Sequence, residues 1–558
     1  MQIKVATTEL NSSSKAGEAS AHVITTIAEE ALGQKRKLGW GVICVLALLL
    51  AVGLIFRVSH LGASGFAEDE VNKVDAVRVY QQGDITANAE HPMLMKALMY
   101  ASLRVGHALR SDGAVSDEAL LRLPNAIFGA LTVIPLFLLT AAFFDRWTGL
   151  TAAALWAVGI NAITYNRIGK EDTLLVLFML FAFYFYLRAK QTDTRNAQLT
   201  KRNYLLSGIS FGLMLASKYF PHYFGLNALY HQQFRVRKRE PGEPSGKAPR
   251  VFYLAILVAF MVANPPVLLP QVWQYLEAYL GEKLLVHTGY LFADHLYKNT
   301  VSSSPFWGTP FYFYLVFMAI KIPLAVLASF IIGFVVSIKR RRHPGYAFAL
   351  FMFLFWIVPY SLCGAKWLRY TLSLMPFVYM LAAIGVIELY RFTSRRMTMS
   401  KQTRAVLAAL VVAIFIAWPA WIACLAGPHY GLYTNALSAR KVGYFFPHDE
   451  FYDDGLREAI KFVCDTAPEG AIIAHETPAA VRYYLERFQR PDLNSKAISA
   501  PHFEVANISG PAYFIVQRGR TYFENQDKLA YIRANFKQVH EVSINGMAAA
   551  EVFVNQRR

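Results

Sequence analysis

Charged residues are scarce in this chain of 558 residues. Lys, Arg, Asp and Glu together make up 17% of it, whereas an ordinary soluble protein has about 25%. This composition argues against a soluble globular protein. Apolar runs long enough to cross a bilayer, which takes roughly 20 residues, recur through the first three quarters of the chain, for example at 39–57, 171–187, 310–337 and 404–426. The sequence therefore predicts a polytopic α-helical membrane protein.

The chain has only four cysteines, and its C-terminal part lacks the common nucleotide-binding motifs. Three of the four cysteines lie in or beside apolar runs, so no disulfide framework is expected. The first apolar run lacks the small-x-small exit site of a cleavable signal and follows a polar tail, 1–37, that we expect to be disordered and cytoplasmic. The C-terminal part contains neither a phosphate loop nor a G-x-G-x-x-G pattern, and its sequence assigns it no chemistry.

The net charge of +18 is unevenly distributed, and this distribution argues against nucleic acid as a partner. The excess sits in short linkers between apolar runs, which carry 5, 6, 4 and 5 Lys or Arg against 1, 2, 0 and 0 acids: 188–202, 235–250, 339–342 and 391–404. Basic linkers of this kind face the cytoplasm. We therefore expect these four linkers on the cytoplasmic side of the plasma (inner) membrane.

With those linkers fixed, the chain threads as about 11 crossings, with the N-terminus cytoplasmic and the C-terminus extracytoplasmic. The crossings are expected at 39–57, 122–144, 148–165, 171–187, 203–217, 219–234, 251–270, 310–337, 345–363, 370–390 and 404–426. Segment 93–110 is short, is interrupted by Lys96, Arg104 and His107, and would break this parity if it spanned. It is interpreted as an interfacial helix on the outer surface.

Three regions follow from this threading: the tail 1–37, a transmembrane domain 38–427 with an outer loop 58–121, and an extracytoplasmic α/β domain 428–558. In the last region, 471–476 and 512–517 are predicted to be strands, and 453–467 and 478–488 amphipathic helices. A hairpin is expected around Asn545-Gly546.

The threading also gathers unusual charges on the outer face. Loop 58–121 holds nine acids against five Lys or Arg, beginning with Glu68-Asp69-Glu70. The turns 166–172, 217–218 and 366–369 join it there with further acids and bases. Ionisable groups near membrane depth are costly and are usually paired or functional. This gathering suggests a site for an anionic lipid headgroup and a group that needs a base.

The ordered motifs resemble the protein O-mannosyltransferase family and the related bacterial lipid A aminoarabinose transferases. The first two motifs are an acid pair, here Asp69-Glu70, and an HP-x-L-x-K stretch, here His91-Pro92 to Lys96. The third is an arginine followed by Pro, Ala and Gly, here Arg122 with Pro124, Ala126 and Gly129. The last two are an Arg…Asp helix start, here Arg167 with Asp172, and a G-L-x-x-x-S-K segment, here Gly212-Leu213 to Ser217-Lys218. Both groups are integral-membrane glycosyltransferases of the GT-C fold, glycosyltransferase family 39-like, that use polyprenyl-phosphate sugars.

The resemblance implies an enzyme that transfers a sugar, with mannose as the first candidate, from a polyprenyl-phosphate donor to a hydroxyl acceptor on a protein, lipid or glycan. It implies inversion, with Asp69 as general base and Glu70 beside it. Acceptor or sugar positioning falls to Glu90, His91, Lys96 and Asp172. The lipid phosphate falls to Arg122, Arg167, Lys218, Lys366 and Arg369, since the leaving phosphate needs positive charge.

Other interpretations stay open at this point. The three acids are also compatible with a solvated collar at a helix end, and the cations with side chains that extend to the interface. Met93 and Asn88-Ala89-Glu90 depart from the family pattern, which leaves the acceptor undetermined. No cofactor is established, although His91 and the nearby carboxylates are candidates for a divalent cation such as Mg or Mn. A transporter or flippase, or a non-catalytic scaffold, are the alternative classes.

Overall fold

The computed structural model describes residues 39–109, 115–192, 196–219, 248–280, 289–300, 308–396 and 400–557. The predicted tail 1–37 and all but the first residue of the predicted crossing 219–234 lie outside these ranges.

The described residues of the transmembrane part are mostly helical. Its helices are Trp40–Val58, Glu68–Gln81, Met93–Leu109, Asp117–Leu131, Val133–Phe143, Arg146–Val158, Ile160–Asn166, Asp172–Gln191, Ala197–Leu215, Arg250–Ala263, Pro270–Leu280, Phe313–Lys321, Leu324–Lys339, Pro344–Leu362, Met375–Arg396, Lys401–Val412 and Trp418–Ala426. A β-hairpin of strands β1 (Gly289–Phe292) and β2 (His295–Lys298) packs against them, with the Tyr290 and Phe292 rings in contact with Phe313.

Six of these helical segments are long and apolar enough to span a membrane, or seven if one bent pair counts as a single span: Trp40–Val58, Asp117–Phe143, Asp172–Gln191, Pro344–Leu362, Met375–Arg395 and Lys401–Ala426, with the pair Arg146–Val158 and Ile160–Asn166. Each coincides with a predicted crossing. Two further apolar helices, Arg250–Ala263 and Leu324–Lys339, are shorter. The total of eleven crossings stays a prediction.

One predicted crossing has a different form from the one expected. The run 310–337 is two helices, and the chain breaks at Ile322-Pro323 between them. Proline cannot donate the hydrogen bond that a continuous helix needs at this point. The side-chain amide of Asn435 donates to the carbonyls of Ala319 and Ile322, at 2.7 Å each, and so satisfies part of the broken backbone.

A second break is stabilised by a buried arginine. The helices Arg146–Val158 and Ile160–Asn166 meet at Gly159 with a bend of 56°. Arg57, which is fully buried, donates to the carbonyls of Trp156 and Ala157 at 3.0 and 3.1 Å, and to Asn166 Oδ1 at 2.9 Å. The guanidinium thereby supplies donors to carbonyls at the end of the first helix. A third break lies at Asn264-Pro265-Pro266, where the helix that begins at Arg250 ends at Ala263.

The helix Met93–Leu109 coincides with the predicted interfacial helix 93–110. It packs against Glu68–Gln81 and Asp117–Leu131 and buries the residues Met95, Lys96, Met99 and Leu103. Its position at a membrane surface stays a prediction.

The C-terminal part forms a five-stranded mixed sheet in the order β4-β3-β5-β7-β6. The strands are β3 (Ile472–His475), β4 (Asn494–Ala497), β5 (Ala512–Gln517), β6 (Phe536–Ile544) and β7 (Met547–Arg557). The accompanying helices are Pro447–Phe451, Leu456–Thr466, Pro478–Arg487 and Gln526–Asn535. The predicted strands, helices and hairpin turn are found, and Asn545 and Gly546 both have positive φ, as a two-residue hairpin turn requires.

The sheet region docks on one end of the transmembrane helices through the helix Glu68–Gln81, here called the acidic helix. The Glu68 carboxylate accepts hydrogen bonds from the backbone N–H groups of Ala479 and Ala480, at 3.0 and 2.9 Å. These groups lie in the first turn of Pro478–Arg487, where a carboxylate is favoured. Asp75 with Arg482, and Arg78 with Glu486, add two ion pairs along the same contact.

Candidate active site

Asp69 lies in the first turn of the acidic helix and faces a convergence of cations. Its Oδ2 accepts from Arg369 Nη1 at 2.7 Å and from Lys170 Nζ at 2.9 Å, and the Tyr452 hydroxyl lies 3.5 Å from the same oxygen. These partners come from three separate parts of the chain. The fold thus places one carboxylate where the transmembrane helices meet the C-terminal region.

The Asp69 carboxylate is both surrounded by protein and open on one side. Its side chain is 38% exposed, and its Oδ1 forms no hydrogen bond with any described residue, since the contacts found are all to Oδ2. Burial would raise the pKa of Asp69, but Lys170 and Arg369 outweigh burial and hold that pKa well below its usual value. The carboxylate is therefore ionised at neutral pH and has one oxygen available.

A second set of charges lies next to Asp69. Lys73 Nζ is 2.7 Å from Glu171 Oε1, and both side chains are 1% exposed. His91 Nδ1 lies 3.9 Å from the same Glu171 oxygen. Burial lowers the pKa of His91 well below its usual value, against the opposing effect of Glu171, so the ring is neutral at pH 7. The His91 side chain is 20% exposed.

The loop that carries Glu90 is held by Lys96. The Lys96 ammonium donates to the carbonyls of Ala87, Asn88 and His91, at 3.1, 2.6 and 2.9 Å. Burial lowers the pKa of Lys96 to about 7. Glu90 accepts from the side-chain amide of Asn88. Lys96 therefore fixes the backbone of the segment around His91.

Glu70 points away from Asp69 and into the protein. It is fully buried, and Arg122 Nε and Nη2 donate to its two oxygens at 2.8 and 2.6 Å. The backbone N–H groups of Gly169 and Ala67 donate to it as well, at 2.8 and 3.0 Å. The remaining donors of Arg122 bind the carbonyls of Leu61, Ser64 and Gly65.

The other predicted phosphate-binding cations differ in how they are held. Arg167 donates to four backbone carbonyls at the end of the first transmembrane helix and just after it, those of Phe56, Arg57, Ser59 and His60. Lys366 is fully buried and donates to the carbonyls of Thr309, at 2.8 Å, and Cys363. Lys218 Nζ is 2.6 Å from Asp172 Oδ1 and lies over the Tyr370 ring, 4.6 Å from its centroid. Of the predicted cations, Arg369 thus pairs with Asp69, and Lys218 pairs with Asp172.

Four residues at this site were not singled out from the sequence: Lys73, Lys170, Glu171 and Tyr452. Lys170 and Glu171 stand in the turn 166–172, which was expected on the outer face, so their charges were a usable signal. Tyr452 carries no such signal, because it comes from the C-terminal part. It has a positive φ of 47°, as does Asp453 at 65°, and a tyrosine in this conformation is rare. The short segment around Tyr452 is thereby directed at Asp69.

A divalent cation has little to bind here. The described residues contain no group of three or more His, Cys, Asp or Glu side chains arranged to hold a metal. Two carboxylates of this site are already compensated by lysine or arginine: Asp69 by Lys170 and Arg369, and Glu171 by Lys73.

Comparison with solved structures finds similar chains at low sequence identity, among them the following three. ArnT from Cupriavidus metallidurans in the apo state is 14% identical, with 93% of this chain and 98% of that chain covered and a TM-score of 0.49. An Archaeoglobus fulgidus oligosaccharyltransferase tethered to an acceptor peptide is 12% identical, with 92% and 74% covered and a TM-score of 0.48. The mycobacterial arabinofuranosyltransferase AftD is 11% identical, with 93% and 42% covered and a TM-score of 0.43.

Comparison with curated proteins found no match. Residues 91–269, however, match the family model described as dolichyl-phosphate-mannose-protein mannosyltransferase. The matched segment includes His91, Arg122, Arg167 and Lys218, whereas Asp69 and Arg369 lie outside it. The match agrees with the membrane glycosyltransferase that the motifs predicted. The resemblance predicted from the motifs is therefore confirmed: over residues 91–269 this chain matches the dolichyl-phosphate-mannose-protein mannosyltransferase family.

Proposed function

We propose that this protein transfers a sugar, with mannose as the first candidate, from a polyprenyl-phosphate donor to a hydroxyl acceptor, with Asp69 as the general base. The acceptor is a protein, lipid or glycan, and the reaction takes place on the extracytoplasmic face of the plasma membrane. The observation that carries the proposal is the Asp69 carboxylate, with one oxygen held by Arg369 and Lys170 and the other open.

In the proposed reaction the acceptor oxygen attacks the anomeric carbon of the sugar. A bond forms between these two atoms while the bond from the anomeric carbon to the phosphate oxygen breaks. The acceptor proton passes to Asp69 Oδ1, and polyprenyl phosphate leaves with the electron pair. A single displacement of this kind inverts the anomeric centre, and a positioned carboxylate typically contributes about 10²–10⁴-fold to such a step.

The leaving phosphate is assigned to Arg369 and Lys218. Arg369 offers two parallel donors that fit phosphate oxygens, and its side chain is 17% exposed. All three nitrogens of the Arg122 guanidinium already donate to a carboxylate or a carbonyl, and Arg167 donates to four carbonyls. We therefore assign these two arginines to holding the loop and the helix end, whereas Arg369 donates to Asp69 through Nη1. Lys366 we assign to the backbone around Cys363 for the same reason.

Donor binding also adjusts the base. In the free protein Arg369 and Lys170 lower the proton affinity of Asp69. A bound phosphate competes with Asp69 for Arg369, because both are anions within reach of one guanidinium. Losing part of this pairing raises the pKa of Asp69 when the donor is in place. The carboxylate therefore becomes a stronger base in the presence of the substrate that needs it. Glu90, His91 and Asp172 are assigned to sugar and acceptor positioning.

The test is transfer from a radiolabelled polyprenyl-phosphate sugar by the purified protein. Asp69→Asn is expected to lower turnover by at least 10²-fold with no change in thermal unfolding. Asp75→Asn is the matched control, because it makes the same chemical change on the same helix at a pair with Arg482, and it is expected to keep wild-type turnover. Wild-type turnover in Asp69→Asn would contradict the proposal, as would movement of an unchanged solute across sealed vesicles.

A further inference from the structure

A cavity that is separate from the Asp69 site lies at the other end of the transmembrane helices. It has a volume of about 460 Å³ and is lined by the ends of several helices. The helical segment Asp117–Phe143 runs from Arg122, beside the acidic helix, to Phe143 in the wall of this cavity. Those 21 intervening steps of 1.5 Å amount to about 30 Å, which is the thickness of the hydrocarbon core. The cavity and Asp69 are thus one bilayer apart.

Arginines dominate the polar wall of this cavity. Arg340 pairs with Glu388 through two contacts of 2.9 Å, and Arg391 bridges Glu388, at 3.2 Å, and Asp145, at 2.7 Å. This row of four charges is neutral as a whole. Arg342 lines the same cavity and takes part in no ion pair found among the residues that the structure describes. One positive charge in the cavity wall is therefore not balanced.

Apart from Thr148 and His343, the rest of the wall is aromatic and aliphatic. Phe143, Phe144, Tyr346, Ile384 and Ile387 face the cavity beside the arginines. A soluble anion would leave these apolar side chains without a contact. A phospholipid has a phosphate for the arginines and, next to it, a glycerol and acyl chains for the apolar side chains. Basic pockets between transmembrane helices on the cytoplasmic side bind anionic lipid headgroups. The basic segment 339–342, which we expect on the cytoplasmic side, contributes Arg340 and Arg342 to the wall of this cavity.

We propose that this cavity binds the headgroup of an anionic glycerophospholipid, with its phosphate at Arg342 and its glycerol region against Phe144 and Tyr346. This site is separate from the Asp69 site and does not depend on the function proposed for it. The chemistry recognised is a phosphate monoanion joined to an apolar body.

The test is native mass spectrometry of the full chain in detergent, titrated with phosphatidylglycerol and, as the neutral comparator, phosphatidylcholine. Arg342→Ala is expected to weaken phosphatidylglycerol binding about fivefold, as one basic residue near a lipid surface does. Arg342→Lys is expected to retain most of the binding. Arg341→Ala is the matched control, because Arg341 is the adjacent exposed arginine, donates to the Ile338 carbonyl and does not line the cavity.

Three results would overturn the proposal. One is equal loss of phosphatidylglycerol binding in Arg341→Ala and Arg342→Ala, which would mean diffuse attraction to a basic surface. Another is equal affinity for phosphatidylcholine and phosphatidylglycerol. The third is displacement of phosphatidylglycerol by millimolar inorganic phosphate, which would identify a simple anion site.

Discussion

At the scale of single residues, three adjacent acids have three different environments. Glu68 caps the helix Pro478–Arg487, Asp69 faces Arg369 and Lys170, and Glu70 is buried against Arg122. Successive residues on a helix point about 100° apart, so neighbouring acids cannot share one site. The run of acids therefore combines docking, chemistry and internal packing within one helical turn.

This division predicts the behaviour of Glu70. Glu70→Gln removes one partner of a buried pair and leaves Arg122 uncompensated, which typically costs about 3–5 kcal/mol of folding free energy. We expect a markedly lower midpoint of thermal unfolding, whereas Asp75→Asn, at a pair with Arg482 that is 57% exposed, should lose at most about 1 kcal/mol. An unchanged unfolding midpoint in Glu70→Gln, together with lost transfer, would instead assign Glu70 to the chemistry.

The sequence allowed part of this site to be predicted. The acid run, the HP motif and the cations at helix ends identified Asp69, His91, Lys218 and Arg369 as candidates before the fold was known. The direction of each side chain could not be predicted, because it depends on which partner the tertiary fold supplies. Tyr452 was beyond reach for the same reason: it is 383 residues from Asp69 in the chain.

At the scale of helices and strands, hydrophobic runs predicted where helices occur better than how they are divided. The break at Pro323 was missed because the run 310–337 is apolar on both sides of it. The hairpin β1–β2 was missed because its strands are only four residues each, too short for an alternating pattern to be distinct. Of the C-terminal elements, β3, β5, the β6–β7 hairpin and two helices were predicted, whereas β4 and the helix Gln526–Asn535 were missed.

Close packing of two helices is one feature that only the structure reveals. Leu324–Lys339 and Met375–Arg396 approach at Gly333 and Gly385, where an added Cβ would lie 1.8 Å from the Leu381 carbonyl oxygen and 1.9 Å from that of Ser329. Small residues permit such contacts between membrane helices. Gly333→Ala and Gly385→Ala are each expected to cost about 1–3 kcal/mol of stability, measured by thermal unfolding.

The matched control for these variants is Gly41→Ala. Gly41 is also in a transmembrane helix, but an added Cβ would meet no atom within 4 Å, and alanine has the higher helix propensity. Its unfolding midpoint is expected to equal or exceed that of the wild type. If all three variants unfold at the same temperature, the helices do not pack as closely as described.

At the scale of the whole molecule, charge is separated along the membrane normal. The Asp69 site and the C-terminal sheet lie at one end of the helices, and the segment 339–342 at the other. Sidedness is the link between this separation and function, because a lipid-linked donor must present its sugar to the face on which Asp69 lies.

Labelling with a membrane-impermeant maleimide tests this sidedness. In a variant without native cysteines, Gln82→Cys, at the exposed end of the acidic helix, is expected to be labelled on intact cells. Arg341→Cys, also exposed, is expected to be labelled only after permeabilisation. Labelling of both positions on intact cells would contradict the threading, and so would labelling of Arg341→Cys alone.

The central claim is that the lipid phosphate and Asp69 share Arg369, and donor binding measures it most directly. The affinity of the purified protein for undecaprenyl phosphate, followed by isothermal titration calorimetry, is expected to fall by about tenfold or more in Arg369→Gln, because a charge-assisted bidentate contact is lost. In Asp69→Asn the affinity is expected to equal or exceed that of the wild type, because the competing anion is removed while the phosphate contacts remain. Weaker binding in Asp69→Asn, or unchanged binding in Arg369→Gln, would contradict the account.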